Sequence, residues 1–198
     1  MRQIVSAAGT FLLGAVFQFV VCATVFAAEP VSWDPVEEEA IALLRRYIQI
    51  DTTNPPGDEM KAARFFKEIL DREGIETKII ESAPGRASIY ARLRGAGAKK
   101  AVVLLNHMDV VPADAKLWKE PPFSGLIKDG YIWGRGALDM KGPAIVELMS
   151  LILMKRRNMA LKGDIIFLGT ADEESGGALG AGFCWRNMRN CLKESAWC

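Results

Sequence analysis

His107 is the only histidine in a chain of 198 residues, and only Asn106 separates it from the apolar run Ala101-Val102-Val103-Leu104-Leu105. A histidine just past a strand stands where ligands gather in open α/β sheets, beyond the carboxyl ends of the strands. Asp109, two residues on, can accept the other ring N–H, which fixes the tautomer and raises basicity, as a carboxylate does behind a metal-bound imidazole. Alone, such a pair is more often an ordinary hydrogen-bonded turn. Asp139 lies in Trp133-Gly134-Arg135-Gly136-Ala137-Leu138-Asp139-Met140-Lys141-Gly142, a glycine-punctuated loop running into an apolar helix; taken singly, it reads as a helix cap. A third segment, Gly169-Thr170-Ala171-Asp172-Glu173-Glu174-Ser175-Gly176-Gly177, follows the apolar run Ile165-Ile166-Phe167-Leu168. Adjacent acids repel and raise one another's pKa unless a cation lies among them; a solvated acidic loop is the alternative. The conjunction outweighs the separate alternatives. One histidine and several carboxylates arrive at one sheet edge from separate loops, which is how an oxygen-and-nitrogen site for divalent metal is built. With a bridging carboxylate, two metals about 3.5–4 Å apart could polarise a carbonyl and activate water. A free glutamate beside them would be the base.

The elements that must position these residues are legible from periodicity. Asp34-Pro35-Val36-Glu37 has the form of a capping box with proline at the first helical position. Val36, Ala40, Leu43, Leu44, Tyr47 and Ile48 then form a buried stripe, and the helix is expected to stop near Asp51, before Thr52-Thr53-Asn54-Pro55-Pro56-Gly57. A second helix carries Ala62, Phe65, Phe66, Ile69 and Leu70 at helical spacing, with Gly74 as its stop. Short strands are predicted over 77–80, 87–93, 101–105 and 164–168. The two continuous apolar runs look like strands covered on both faces. An apolar helix from about Lys141 to Met154, with Pro143 in its first turn, lies between them. Strand, helix, strand implies a parallel pair in an α/β domain.

Composition excludes some partners. With 25 basic and 24 acidic residues mixed along the chain and a formal charge of +1, no basic face is offered to nucleic acid. No G-x-G-x-x-G turn follows the first strand, so a nucleotide-binding α/β domain is not supported. Arg2 is the only charge before Glu29, and residues 7–28 are almost wholly apolar. That reads as a secretory signal over residues 1–28 with Val25-Phe26-Ala27 at the cleavage point, and hence as a secreted or periplasmic protein. The alternative is an uncleaved membrane anchor over residues 4–28. Cys22 lies in that segment, while Cys184, Cys191 and Cys198 crowd the carboxyl end, unlike the distributed pattern of a disulfide scaffold.

Asn106-His107-Met108-Asp109-Val110-Val111-Pro112 resembles the His-x-Asp segment of the M20 metallopeptidases and deacylases. Trp118, Pro121-Pro122-Phe123-Ser124-Gly125, the loop from Gly134 to Gly142 and Asp172-Glu173-Glu174-Ser175-Gly176 resemble that family's further motifs in order and spacing. The resemblance covers residues 34 to 183. It implies a zinc-exopeptidase-like α/β domain with a mostly parallel sheet covered by helices. It also implies two zinc ions per complete site, with cobalt or manganese as alternatives, and hydrolysis of amide bonds in small peptides or N-acyl amino acids. By the same resemblance His107 binds one metal, Glu174 the other, Asp139 bridges both, Glu173 is the general base, Asp109 orients His107, and a cis peptide follows Asp139.

Against that pattern, the chain lacks a second histidine, a further acidic ligand and the inserted domain through which relatives often form homodimers and close over substrate. The expectation is therefore a partial catalytic domain over residues 29–183 followed by an atypical tail over 184–198. The alternative to an active hydrolase is an inactive, truncated or non-catalytic remnant, tied to a membrane only if the signal segment is uncleaved.

Overall fold

The computed structural model describes residues 32–187. The signal segment, Cys22, Cys191, Cys198 and most of the atypical tail lie outside the described residues. Helix α1 spans Trp33–Ile48 and helix α2 spans Glu59–Arg72. Helix α1 starts two residues earlier than the capping box implies: Ser32 takes the cap position without a side-chain bond, and Asp34 falls in the first turn. Pro35 permits this, because the first turn needs no N–H from it. Leu43, Tyr47 and Ile48 are buried, and Val36, Ala40 and Leu44 pack beside them. In α2 an acid, Glu59, joins the buried face with Ala62, Ala63, Phe65, Phe66, Ile69 and Leu70.

Strands β1 (Glu76–Ala83) and β2 (Arg86–Leu93) form an antiparallel hairpin. Then come β3 (Val102–His107), a small hairpin of β4 (Leu126–Lys128) and β5 (Tyr131–Trp133), helix α3 (Gly142–Arg156), β6 (Ile165–Thr170) and α4 (Ala181–Asn187). The main sheet has the order β1-β2-β6-β3. The expected parallel pair is β3 with β6, joined through α3. The other two pairings are antiparallel, so among the described residues the α/β sheet is mixed rather than mostly parallel. Its cause is the short reversal at Pro84-Gly85, which returns the chain as a hairpin rather than through a helical crossover.

Alternation along the strands sorts side chains into two layers. Ala87, Ile89 and Ala91 of β2 and Phe167 of β6 face α1, α2 and α3, where Tyr47, Phe65, Phe66 and Phe167 form an aromatic chain with centroids 4.8–5.4 Å apart. Each such ring buries more apolar area than one aliphatic side chain does. On the other face Ile80, Tyr90, Ile166 and Leu168 meet Cys184 and Phe183. Strand β3 departs from the expected two-sided cover: it is the sheet edge among the described residues, and Val102 and Leu105 are exposed. No helix among the described residues is long and apolar enough to cross a membrane.

Candidate metal centre

The parallel pair brings the carboxyl ends of β3 and β6 level, with His107 opposite Thr170 in register. Both loops that leave these ends therefore start from one rim. The segment after α1 braces them: Thr52 Oγ1 donates to the Met108 carbonyl at 2.7 Å, and Asn54 N–H to the Val110 carbonyl at 2.9 Å. The loop before α3 is fastened by Lys141. Its fully buried ammonium donates to the carbonyls of Tyr47 (3.0 Å) and Ile50 (2.6 Å) and lies 4.7 Å from the Tyr47 ring centre. Burial pushes its pKa down to about 7. Gly136 sits at φ +77, and a Cβ there would come within 2.6 Å of Val110, so the loop needs a residue without one. The Asp139–Met140 peptide is cis.

These supports bring His107, Asp139 and Glu174 together, with one ligand atom from each lying within 4.8 Å of the others. His107 is buried; Nε2 lies 3.1 Å from Asp139 Oδ1 and 3.8 Å from Glu173 Oε2. The carboxylates of Asp139 and Glu173 are 79% and 60% exposed, so the cluster opens to solvent on the side where a substrate could enter.

Asp109 holds His107, but not with the atoms that the sequence suggests. The ring Nδ1 donates to the Asp109 main-chain carbonyl at 2.9 Å, while the Asp109 carboxylate stands 3.6 Å away. The chain curls back past the strand end, where Met108 N–H bonds the Thr170 carbonyl and Val110 N–H the Thr52 carbonyl, and this places the carbonyl against the ring. A carbonyl can only accept, so the proton is on Nδ1 and Nε2 is left facing Asp139. The freed Asp109 carboxylate accepts from Asn54 Nδ2 at 2.7 Å and from the backbone N–H groups of Glu173 and Glu174, both at 3.0 Å. Burial pushes this carboxyl up, but the facing His107, Asn54 and the two N–H groups outweigh it and hold it below the usual range.

The donor set fits a divalent cation. An unprotonated Nε2 facing a carboxylate oxygen at 3.1 Å is repulsive unless a positive centre lies between or beside them. Burial disfavours a charged ring, yet Asp109 and Asp139 lift the His107 pKa to about 9. Burial also raises Glu174, His107 opposes that rise, and Asp139, Asp109 and Glu173 add to it. Each tendency calls for positive charge at one point, supplied by a proton or by a metal ion.

Two further charged residues of these loops, Asp172 and Arg135, have other partners. Asp172 turns inward, is buried and pairs with Arg86 at 2.9 Å, so it is not one of three acids facing solvent. Arg135 stacks 5.2 Å from the Trp118 ring centre and reaches the Pro112 carbonyl at 3.5 Å, which ties its loop to the segment after β3. Sequence reasoning missed Asn54, Glu59, Arg86 and Lys141. Only Glu59 left a signal, as an acid on the apolar stripe of α2.

An α/β domain with a histidine and carboxylates converging at its strand ends defines the type of site that holds a divalent metal ion. Residues 103–194 match Peptidase family M20/M25/M40. The "Probable succinyl-diaminopimelate desuccinylase" of Staphylococcus epidermidis is 35% identical over 140 residues, covering 70% of this chain and 34% of that protein. Among solved structures, an M20 family metallo-carboxypeptidase from Sulfolobus solfataricus superposes with a TM-score of 0.67 at 24% identity, covering 77% of this chain and 35% of that one. Human carnosine dipeptidase 1 superposes at 0.68 and 22%, covering 85% and 40%; both share the fold. This chain belongs to the M20 family, and it spans about a third of the length of the curated relatives it matches.

Proposed function

We propose that this chain carries part of a zinc-dependent active centre that hydrolyses amide bonds of small N-acyl amino acids or peptides. The observation that carries the proposal is the convergence of His107, Asp139 and Glu174, with the Glu173 carboxylate 3.8 Å from His107. His107 and Glu174 would each hold one zinc ion and Asp139 would bridge the two, with cobalt or manganese as substitutes. When bound, the metal pair supplies Lewis acidity to the scissile carbonyl and makes a nearby water acidic. Glu173, exposed and free of a hydrogen-bonded partner on its carboxylate among the contacts described, takes a proton from that water as its oxygen bonds to the amide carbon. It returns the proton to nitrogen as the C–N bond breaks, so the products are a carboxylic acid and an amine. Asp109 holds the His107 ring and the Glu173–Glu174 turn in one arrangement, so both sides of the site are set before substrate arrives.

The test uses protein purified without residues 1–27, dialysed against dilute zinc. Wild type is expected to retain zinc and His107→Ala to lose it, while Glu173→Gln keeps zinc but loses turnover of N-acyl amino acids and dipeptides by at least about 100-fold. Zinc content unaffected by His107→Ala would overturn the site; zinc without turnover in wild type would favour the non-catalytic alternative, consistent with a single histidine in the chain. The apolar amino-terminal segment supports export, with cleavage after Ala27 or Ala28. Amino-terminal sequencing of secreted protein checks this, and an intact amino terminus in the membrane fraction would favour the anchor.

A further inference from the structure

We propose that Arg86, clamped by Glu59, is a positioning residue that sets the geometry of the acidic turn Glu173–Ser175 through Asp172; this rests on the metal-centre assignment above. The Arg86 fork bonds Glu59 twice, Nε to Oε2 at 2.7 Å and Nη2 to Oε1 at 2.8 Å, and Nη2 also reaches Asp172 Oδ1 at 2.9 Å. The Glu59 side chain is 0% exposed, Arg86 13% and Asp172 7%. Asp172 is held at every polar point described: its N–H donates to Glu59 Oε1 at 3.2 Å, Oδ1 also meets Asn54 Nδ2 at 3.4 Å, and Oδ2 accepts Leu179 N–H at 3.0 Å.

That grip has a specific consequence for the chain. Asp172 stands at φ +65, a left-handed conformation that aspartate tolerates better than most residues with a Cβ and that its polar partners hold here. The next two N–H groups then point at the Asp109 carboxylate, and the Glu173 and Glu174 side chains leave toward His107. Two anchors therefore fix the turn: Asp109 from the loop after β3, and the Arg86–Glu59 pair from β2 and α2. The loop after α1 also closes on this pair. Gly57 lies so near that a Cβ would fall 2.4 Å from Arg86 Nε.

Buried ion networks are weak sources of stability compared with apolar packing, because desolvation offsets the attraction. Two buried acids around one guanidinium are better explained as a device for geometry. Arginine is required because a planar fork can hold Glu59 with two bonds and still offer a third to Asp172, whereas a lysine ammonium cannot span both in fixed directions.

The test compares wild type with Arg86→Lys and, because Arg86→Lys could fail to fold, with Glu59→Gln, which keeps the side-chain shape but leaves one oxygen where Arg86 Nε, Arg86 Nη2 and the Asp172 N–H need two. Amide hydrogen exchange is followed at Glu173 and Glu174 and in β6, together with cobalt(II) affinity and its visible absorption. In whichever variant folds, the Glu173 and Glu174 amides are expected to exchange at least about tenfold faster while β6 keeps its protection. Cobalt is expected to bind at least about tenfold more weakly, with an altered spectrum. Wild-type exchange rates in the turn of a folded variant would overturn the proposal, whatever cobalt does. Failure of wild type to bind cobalt would instead overturn the metal-centre assignment, leaving the exchange result to decide the role of Arg86.

Discussion

Asp109 collects three donors on one carboxylate, and two of them are the N–H groups that orient Glu173 and Glu174. An amide in its place would offer one acceptor oxygen and two hydrogens, so at least one of those donors would face another donor. Asp109→Asn is therefore expected to weaken zinc affinity by about 10–100-fold while leaving the circular dichroism of the helices intact. Competition against a chromophoric chelator measures this, and an unchanged affinity would show that the turn is held without Asp109. His107, Asp139 and Glu174 were visible in the sequence because residue type and position after apolar runs point to one sheet rim. The division of labour within Asp109 was not visible, because spacing does not say whether the carbonyl or the carboxylate of a turn residue faces the ring. Asn54 and Arg86 were hidden for a related reason: each comes from another element and nothing local marks its partners, whereas Glu59 showed only as an acid on the apolar stripe of α2.

At the scale of elements, helical stripes and the parallel pair follow from periodicity, while the two antiparallel pairings of β2, with β1 and with β6, depend on a two-residue reversal and on pairing between distant segments. Asp164, just before β6, shows how such a pairing is locked. It accepts the Gly95 N–H at 2.7 Å and Arg92 Nε at 2.6 Å, tying the end of β2 to the start of β6 where Leu93 pairs with Ile165. Burial pushes its carboxyl up, but the Gly95 N–H and Arg92 outweigh that and hold it below the usual range. A pKa lower in the folded chain than in the unfolded one, near 3.9, means that the unfolded state binds more protons around that pH. The stabilisation is thus fully present above the unfolded value and is lost as pH falls through the folded one. Asp164→Asn is expected to cost about 1–3 kcal/mol near neutrality and to flatten the acid limb below about pH 5. Urea unfolding across a pH series checks both, and parallel acid limbs in the two proteins would show that Asp164 contributes no linkage.

For the molecule as a whole, the two faces of the sheet are unequally dressed. Three helices cover one face, and among the described residues Phe183 and Cys184 of α4 serve the other. Strand β3 closes the described sheet with Val102 54% and Leu105 42% exposed, in a segment that is otherwise a continuous apolar run. An edge of this kind carries unpaired backbone groups beside apolar side chains, which is a template for pairing with another chain. The purified 198-residue chain, or its form without residues 1–27, is therefore expected to associate as its concentration rises. Lysines at Val102 and Leu105 are the natural countermeasure, because a charge on an edge strand makes strand-on-strand docking costly while a monomer can keep the long side chain in water. Sedimentation velocity of Val102→Lys/Leu105→Lys is expected to show a smaller associated fraction at equal concentration. Zinc should leave that fraction unchanged, since the two substituted side chains are not among the metal-facing residues. If the double variant associates as wild type does, a surface other than the β3 edge carries the contact; if zinc alone abolishes association, the rim around His107 is that surface.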